Sequence, residues 1–118
     1  YRKLENIQDK IILPQPEKNS RPSWFGFVIS IRPESGIRRN DVTKYLEEHN
    51  IQTRLLFSGN LIKHPCFDGI RGTSAYRVAG SLEQTDFVMN QTFWIGVYPG
   101  MTEEMIDDMA EVIMEAVQ

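Results

Sequence analysis

Cysteine is almost missing from this sequence, which has Cys66 and no other among its 118 residues. A single thiol excludes an internal disulfide and a cysteine-only metal cage, and it suits a reducing cytoplasm. As a nucleophile it would need an activating base, and only His64 lies close in sequence, so we expect a small, partly buried structural thiol. Long apolar runs are missing too, since none approaches the roughly 20 residues that a membrane helix needs.

The usual signatures of a complete catalytic or metal site are also absent. The sequence has no GxGxxG, Walker, HExxH or GxSxG motif. Its two histidines lack the carboxylate spacing of a metal site. His49 ends a predicted helix, where its ring can contact the last carbonyls, whereas His64 precedes a proline in a loop and is undecided. The chain opens on Tyr1 without a signal-peptide pattern, so we expect it to be a part of a longer protein.

Lysine and arginine are absent after residue 77. Residues 1–77 contain all 13 basic side chains and 8 acidic ones, a balance of +5, whereas residues 78–118 contain 8 acids and no base, a balance of −8. The first part could present a basic face to phosphates or to an acidic partner, and we interpret the acidic tail as a solvated helix face. General nucleic-acid binding is disfavoured, because the basic residues are scattered and the calculated pI is 5.4.

Alternating strand and helix patterns predict an α/β domain with helices packed on a sheet of three or four strands. Aromatic and β-branched runs predict strands over Ser23–Arg32, Ile51–Phe57 and Phe93–Tyr98, and Tyr76–Gly80 is a further short extended piece. Helices are predicted over residues 1–10, over Asp41–His49 with Asn40 as cap, from Ser81 to about Asn90 through a Ser81–Gln84 capping box, and after the cap Thr102.

The segment Thr53–Asn60 is the densest candidate for binding. A strand that runs into Ser-Gly-Asn places polar side chains and free amides at a sheet edge. Arg54 can make a bidentate contact with a phosphate or carboxylate, and Asn60 offers a donor and an acceptor. The alternative is that Arg54 is a solvent-facing strand residue and that Gly59 and Asn60 form only a turn.

Two further groups of residues are weaker candidates. In Ser23–Phe27, the three aromatic side chains Trp24, Phe25 and Phe27 could line a pocket against a flat ring or a sugar, although aromatics in a core strand more often pack. Gly26 between two of them suggests a close backbone approach. Arg71 and Arg77 flank a glycine-containing loop and could face an anion, and a surface salt bridge is equally compatible with either.

Two long stretches, TRLLFSGNLIKHPCF and YRVAGSLEQTDFVMNQTFWIGVYPGMTEEMIDDM, resemble the C-terminal end of the DegT/DnrJ/EryC1/StrS aminotransferase family. The match covers nearly all of residues 22–118, and within the family it is closest to the lipopolysaccharide-biosynthesis branch of CDP-4-keto-6-deoxyglucose 3-dehydratases. The family pattern of a Gly-Ile-x-x-Arg strand and a later Pro-Gly-Met/Leu-Thr turn corresponds here to Asn50–Arg54 and Tyr98–Thr102.

The resemblance implies the small C-terminal domain of a fold type I pyridoxal-phosphate enzyme over residues 22–118, with residues 1–21 as the end of an interdomain helix and linker. It implies that Arg54 and Asn60 face substrate or cofactor, that Phe27 or Phe25 closes over the sugar, and that Arg77 is a weaker candidate for the substrate's phosphates. No catalytic residue and no metal ligand is expected in this part, so the isolated chain should be inactive and should not hold the cofactor.

For the full-length protein the resemblance implies pyridoxal or pyridoxamine phosphate and elimination of the C3 hydroxyl of a nucleotide-linked 4-keto-6-deoxyhexose. It also implies a cytoplasmic homodimer, with a [2Fe-2S] cluster and a reductase partner in this branch, although Cys66 alone does not reproduce the cluster's cysteine pattern. Two alternatives remain: the same domain of a sugar-nucleotide aminotransferase, with a cofactor lysine in place of the dehydratase histidine, or a stand-alone α/β anion-binding regulatory module.

Overall fold

A four-stranded antiparallel sheet forms the centre of the computed structural model, which describes all 118 residues. Its strands are β1 (Ile11–Ile12), β2 (Gly26–Ile31), β3 (Thr53–Leu55) and β4 (Thr92–Gly96), in the order β1-β2-β4-β3. The helices are α1 (Arg39–Glu48), α2 (Glu83–Gln91) and α3 (Glu103–Ala116), with shorter 3-10 helices at Arg2–Ile7, Pro33–Ser35, Leu61–Lys63 and Pro65–Ile70. The predicted α/β class with three or four strands is confirmed.

One face of the sheet is the core. Phe27, Ile29 and Ile31 alternate along β2, and Phe93 and Ile95 alternate along β4, so these side chains share one face. They meet buried residues of α1 and α3 in a single cluster. From the predicted linker, this cluster also receives three side chains, Leu4, Ile11 and Leu13. Residues 1–21 therefore contribute to the core, and the boundary at residue 21 stays a prediction.

The helix ends show where local sequence signals hold. Thr102 caps α3 as predicted, because its Oγ1 accepts a hydrogen bond from the Met105 amide at 3.2 Å. Asn50 ends α1 in a left-handed conformation, φ 63°. The predicted cap Asn40 is wrong, since α1 begins two residues earlier than predicted, at Arg39, with Arg38 at the N-cap position. The predicted Ser81–Gln84 capping box is also wrong: Leu82 is the N-cap, and Ser81 only accepts from the Glu83 amide.

Several other predicted elements differ from the structure. The three predicted strands are longer than the observed ones, because only the residues opposite a partner strand form ladder hydrogen bonds. Residues 76–80 are not extended into a strand, and the polar segment 1–10 contains a short 3-10 helix at Arg2–Ile7. Cys66 is exposed in the 3-10 helix Pro65–Ile70, so the prediction of a partly buried thiol is wrong. None of the helices combines the length and apolarity that crossing a bilayer requires.

Candidate functional site

A row of side chains crosses the sheet on the face opposite the core. Arg54 on β3 pairs with Trp94 on β4, and Trp94 pairs with Val28 on β2, so these three residues point to the same side. The exposed Phe25 ring packs on Trp94 with a centroid distance of 5.2 Å and an interplanar angle of 52°. The structure therefore brings Arg54 and Phe25 together through Trp94, which sequence reasoning did not single out.

The close approach predicted at Gly26 is made by Trp94. A Cβ atom on Gly26 would lie 2.3 Å from Cε3 of the Trp94 ring, so only glycine leaves room for the ring against β2. The indole nitrogen of Trp94 is buried and has no hydrogen-bond partner. The ring thus lies against β2 at Gly26 and packs on Phe25, while Arg54 is its neighbour on β3 in the strand register.

Arg54 lies at the open edge of the sheet. Its side chain is exposed and donates only to its own neighbour, the Thr53 carbonyl, at 2.8 Å. No acidic side chain forms an ion pair with it. A guanidinium held at a strand edge without a carboxylate partner can bind a phosphate or carboxylate group with two parallel hydrogen bonds.

The loop after β3 presents an aromatic side chain. Phe57 is 78% exposed and has a positive φ of 50°, an uncommon conformation for a bulky residue. Its amide donates to the Leu55 carbonyl at 2.8 Å, and the Ser58 carbonyl lies 2.5 Å from Nε2 of His64. Gly59 follows with φ 62°, packed against Met89 of α2. The undecided His64 thus contacts the backbone of the loop that presents Phe57.

Asn60 lies under the loop, with only 2% of its surface exposed. Its Nδ2 donates to Oδ1 of Asp86 on α2 at 2.8 Å, and Lys63 forms an ion pair with the same carboxylate oxygen at 2.8 Å. The hydrogen bonds from Lys63 and Asn60 lower the pKa of the Asp86 carboxyl below its usual value. The Asn60 amide group is therefore held inside this domain, and its predicted contact with substrate or cofactor stays a prediction.

Phe27 belongs to a different surface. It points to the core face and lines an apolar groove of about 310 Å³ with residues of α3 and of the first turn of the chain. Eleven of the groove's thirteen lining residues are hydrophobic, among them Trp24, Ile95, Val97, Ile106 and Met109. The two candidate phenylalanines are thus separated by the sheet: Phe25 lies with Arg54, and Phe27 lies with the groove.

The other candidates from the sequence lie apart from this row. Arg77 is exposed and makes no hydrogen bond or ion pair, in a loop that carries no regular structure. Arg71 makes the surface salt bridge, at 2.7 Å to Asp68. His49 lies with Nδ1 2.8 Å from the Tyr45 carbonyl, which confirms its contact with the end of α1. No three His, Cys, Asp or Glu side chains are grouped closely enough to hold a metal ion.

The residues present fit a partial cofactor site. An unpaired Arg54 can hold an anionic group, and the Phe25 and Trp94 rings can face a flat ring or a sugar. Lys63 is already paired with the Asp86 carboxylate. The Arg54, Trp94 and Phe25 side chains could form one wall of such a site.

The chain belongs to the DegT/DnrJ/EryC1/StrS aminotransferase family, whose profile matches residues 1–114. It is 48% identical over 104 residues to the lipopolysaccharide biosynthesis protein RfbH of Salmonella typhimurium, covering 88% of this chain and 23% of that protein. It is 47% identical over 107 residues to dTDP-4-dehydro-2,6-dideoxy-D-glucose 3-dehydratase of Saccharopolyspora spinosa, covering 91% of this chain and 22% of that enzyme. The chain thus spans less than a quarter of these relatives.

Solved structures share the fold. Escherichia coli GDP-4-keto-6-deoxy-D-mannose-3-dehydratase with bound hydrated PLP superposes with a TM-score of 0.74 at 23% identity, covering 94% of this chain and 28% of that enzyme. DesI, determined in the presence of its TDP-sugar product, superposes with a TM-score of 0.77 at 14% identity, covering 99% of this chain and 28% of DesI. These matches confirm that the sheet and helices have the aminotransferase-family arrangement.

Trp94 and Asp86 are two residues of the site that the sequence patterns did not single out. Trp94 lies in a predicted strand, and the alternation of side chains along that strand places Phe93 and Ile95 on one face and Trp94 on the other. Asp86 was counted only as a helix residue, and its pairing with Asn60 spans 26 positions. Alternation could have found Trp94, whereas no local signal points to Asp86.

Proposed function

We propose that this chain is the small C-terminal domain of a sugar-nucleotide 3-dehydratase that uses pyridoxamine or pyridoxal phosphate in deoxysugar and lipopolysaccharide biosynthesis. The observation that carries the proposal is the open row of Arg54, Trp94 and Phe25, in a chain 47–48% identical to a 3-dehydratase and to RfbH over less than a quarter of their lengths. In this proposal the row forms one wall of a cleft whose other wall belongs to the rest of the protein.

The proposed substrate is a nucleotide-linked 4-keto-6-deoxyhexose, from which the C3 hydroxyl is eliminated. When bound in the full-length protein, the cofactor supplies the electron sink for this step. Arg54 binds an anionic group of the substrate or cofactor and fixes its position along the cleft. Phe25 and Phe57 cover the sugar and exclude water, since both rings are 78% exposed on this domain. Proton transfer at the sugar is assigned to residues outside this chain.

We propose that the apolar groove is covered by the larger domain of the same polypeptide. Relatives of this chain carry more than three quarters of their length outside the matched region. Tyr1, Lys3 and Leu4 are among the residues that line the groove. A groove of this size and apolarity on a small domain is typical of a surface that packs against another body.

Further features of the full-length protein follow from the family resemblance. We propose a cytoplasmic homodimer, and a reductase partner if the protein contains a [2Fe-2S] cluster. Cys66 is the only cysteine, so ligands for such a cluster would have to lie outside residues 1–118.

An aminotransferase of the same family is the second candidate, supported by the fold shared with a DegT DnrJ EryC1 StrS aminotransferase from Brucella abortus at a TM-score of 0.73. The identity of 47% to a 3-dehydratase against 18% to this structure favours dehydration. The residue at the cofactor position of the full-length chain decides between them: a histidine indicates dehydration, and a lysine indicates transamination.

Calorimetry on the isolated chain and on the full-length protein tests the proposal. With pyridoxamine phosphate and a CDP-sugar as probes, the full-length protein should bind both and the isolated chain should bind neither, because most contacts are missing. Arg54→Ala in the full-length protein should weaken binding of one probe by roughly tenfold or more, as expected for loss of a charge-assisted pair. The surface variant Arg38→Ala is the matched control. Micromolar binding by the isolated chain would instead support the stand-alone anion-binding module.

A further inference from the structure

Two carboxylates hold the two ends of the segment that carries Arg54 and Phe57. At its start, Oε1 of Glu47 on α1 accepts from the Thr53 amide at 2.6 Å and from the Thr53 hydroxyl at 2.9 Å. At its end, Oδ1 of Asp86 on α2 accepts from the Asn60 side chain at 2.8 Å. The two carboxylates belong to different helices, so the segment is connected to α1 at its start and to α2 at its end.

Apart from these contacts, the segment is held by its pairing with β4, by His64 near the Ser58 carbonyl and by Gly59 against Met89, and it buries few side chains. β3 has three residues and lies at the edge of the sheet, so it is paired on one side only. Leu55 and Phe57 point to solvent, with 55% and 78% of their surfaces exposed. Without much apolar burial, an edge segment of this kind opens locally at low free-energy cost. Hydrogen bonds to an ionised acceptor are stronger than neutral ones, so the two carboxylates stabilise this segment in place of packing.

The buried Asn60 connects the loop after β3 to α2. Its backbone amide lies 3.4 Å from the Met89 sulfur, and its side chain reaches Asp86, so the residue joins the loop to α2. The same Asp86 oxygen pairs with Lys63, three residues further along the chain. The contacts at this end therefore fix the loop on both sides of the turn at Gly59.

We propose that Glu47 and Asp86 are positioning residues that set the geometry of Arg54 and Phe57 in the substrate cleft. This inference rests on the proposed function, because it assigns these carboxylates a role in the same site. Glu47 fixes the register of β3 against β4 and so places Arg54 beside Trp94. Asp86, through Asn60, fixes the loop that presents the Phe57 ring. Neither carboxylate touches substrate or cofactor.

Hydrogen exchange followed by mass spectrometry on the full-length protein tests the positioning contacts without any need for activity. Glu47→Ala and Asp86→Ala should each raise exchange of the amides in residues 53–60 by about tenfold, the effect of losing hydrogen bonds to a charged acceptor. Glu47→Gln and Asp86→Asn keep a neutral acceptor oxygen and should restore only part of the protection, because hydrogen bonds to an ionised acceptor are stronger. Glu48→Ala and Glu83→Ala, at neighbouring positions on the same two helices, should leave exchange unchanged.

Kinetics with the nucleotide-linked 4-keto-6-deoxyhexose that the full-length protein turns over test the link to the site. Assayed well below their melting temperatures, the two alanine variants should lower kcat/KM by roughly tenfold, and the amide variants should recover part of it. Unchanged exchange in both alanine variants overturns the inference, and so does raised exchange with unaltered kcat/KM. An inactive wild-type protein overturns the proposed function alone, since the exchange experiment still decides whether the carboxylates hold the segment.

Discussion

Gly26 gives the sharpest quantitative test of the aromatic floor. In Gly26→Ala the new Cβ would lie 2.3 Å from Cε3 and 3.0 Å from Cδ2 of the Trp94 ring, about 1 Å short of ordinary contact. The ring has to shift away from β2, and Phe25 packs on the same ring at a centroid distance of 5.2 Å. Overpacking of this kind destabilises a protein by about 1–3 kcal/mol.

The opposite strand supplies a matched control. Gly96 pairs directly with Gly26 across β2 and β4, and a Cβ at Gly96 would have no neighbour within 4 Å. Gly96→Ala should therefore be neutral or stabilising by up to about 1 kcal/mol, because it restricts the unfolded chain. Urea unfolding followed by far-ultraviolet circular dichroism measures both variants.

Combining Gly26→Ala with Trp94→Leu completes the test. Leucine removes the ring atoms that clash, so the double variant should be more stable than the sum of the two single changes predicts. If Gly26→Ala is no less stable than Gly96→Ala, or if the two changes are additive, then Trp94 does not lie against Gly26 and the arrangement of the row is refuted.

Two further predictions concern polar contacts. The hydroxyls of Ser30 and Thr92 form a buried pair at 2.7 Å across β2 and β4. Ser30→Ala should therefore destabilise the fold by about 1–3 kcal/mol, because it leaves the Thr92 hydroxyl without a partner. Combining Ser30→Ala with Thr92→Val should cost less than the two single changes together, and additive urea midpoints would contradict this. The pKa of Asp86 lies below its usual 3.8 because Lys63 and Asn60 donate hydrogen bonds to the carboxylate. The ionised carboxylate therefore stabilises the fold at pH values above 3.8. This stabilisation is lost as the pH falls through the lower pKa of the folded state. The urea midpoints of wild type and Asp86→Asn should therefore differ at neutral pH and converge in acid, as the pH falls through the lowered folded pKa of Asp86; a constant difference would contradict the assigned pairing.

Much of the fold was predictable because its signals are local. The β-branched run around Ile29 and the run around Phe93 indicate strands through side-chain preferences that need no partner. Thr102 caps α3 because a threonine hydroxyl reaches an amide three residues later, whatever the rest of the chain does. By contrast, the antiparallel order β1-β2-β4-β3 depends on which strands meet, and no residue pattern within a single strand specifies that choice.

The site was predictable only in part, for the same physical reason. The sequence indicates Arg54 because a charged residue in a strand that runs into a polar turn is visible without any tertiary information. Asn60 was identified for its polar side chain, but its burial depends on Asp86 and Met89, which lie 26 and 29 positions away. The exposure of Cys66 depends on the 3-10 helix that carries it, which leaves the thiol on the surface. Composition indicates which side chains can bind, and tertiary packing decides which of them remain free to do so.

The groove and the Arg54 row lie on opposite faces of the same sheet, so the docking of another domain into the groove also affects the assembly of the site. Phe27 and Ile95 line the groove on the core face, while Phe25 and Trp94 lie on the other face, and all four residues belong to the end of the sheet marked by Gly26 and Gly96. Neighbouring residues of a strand point to opposite faces, so only the thickness of the sheet separates the two surfaces. A domain that packs into the groove is therefore fixed relative to the Arg54 row. In the proposed full-length enzyme, a small change in how the groove is filled would therefore shift the Arg54 row on the other face of the sheet.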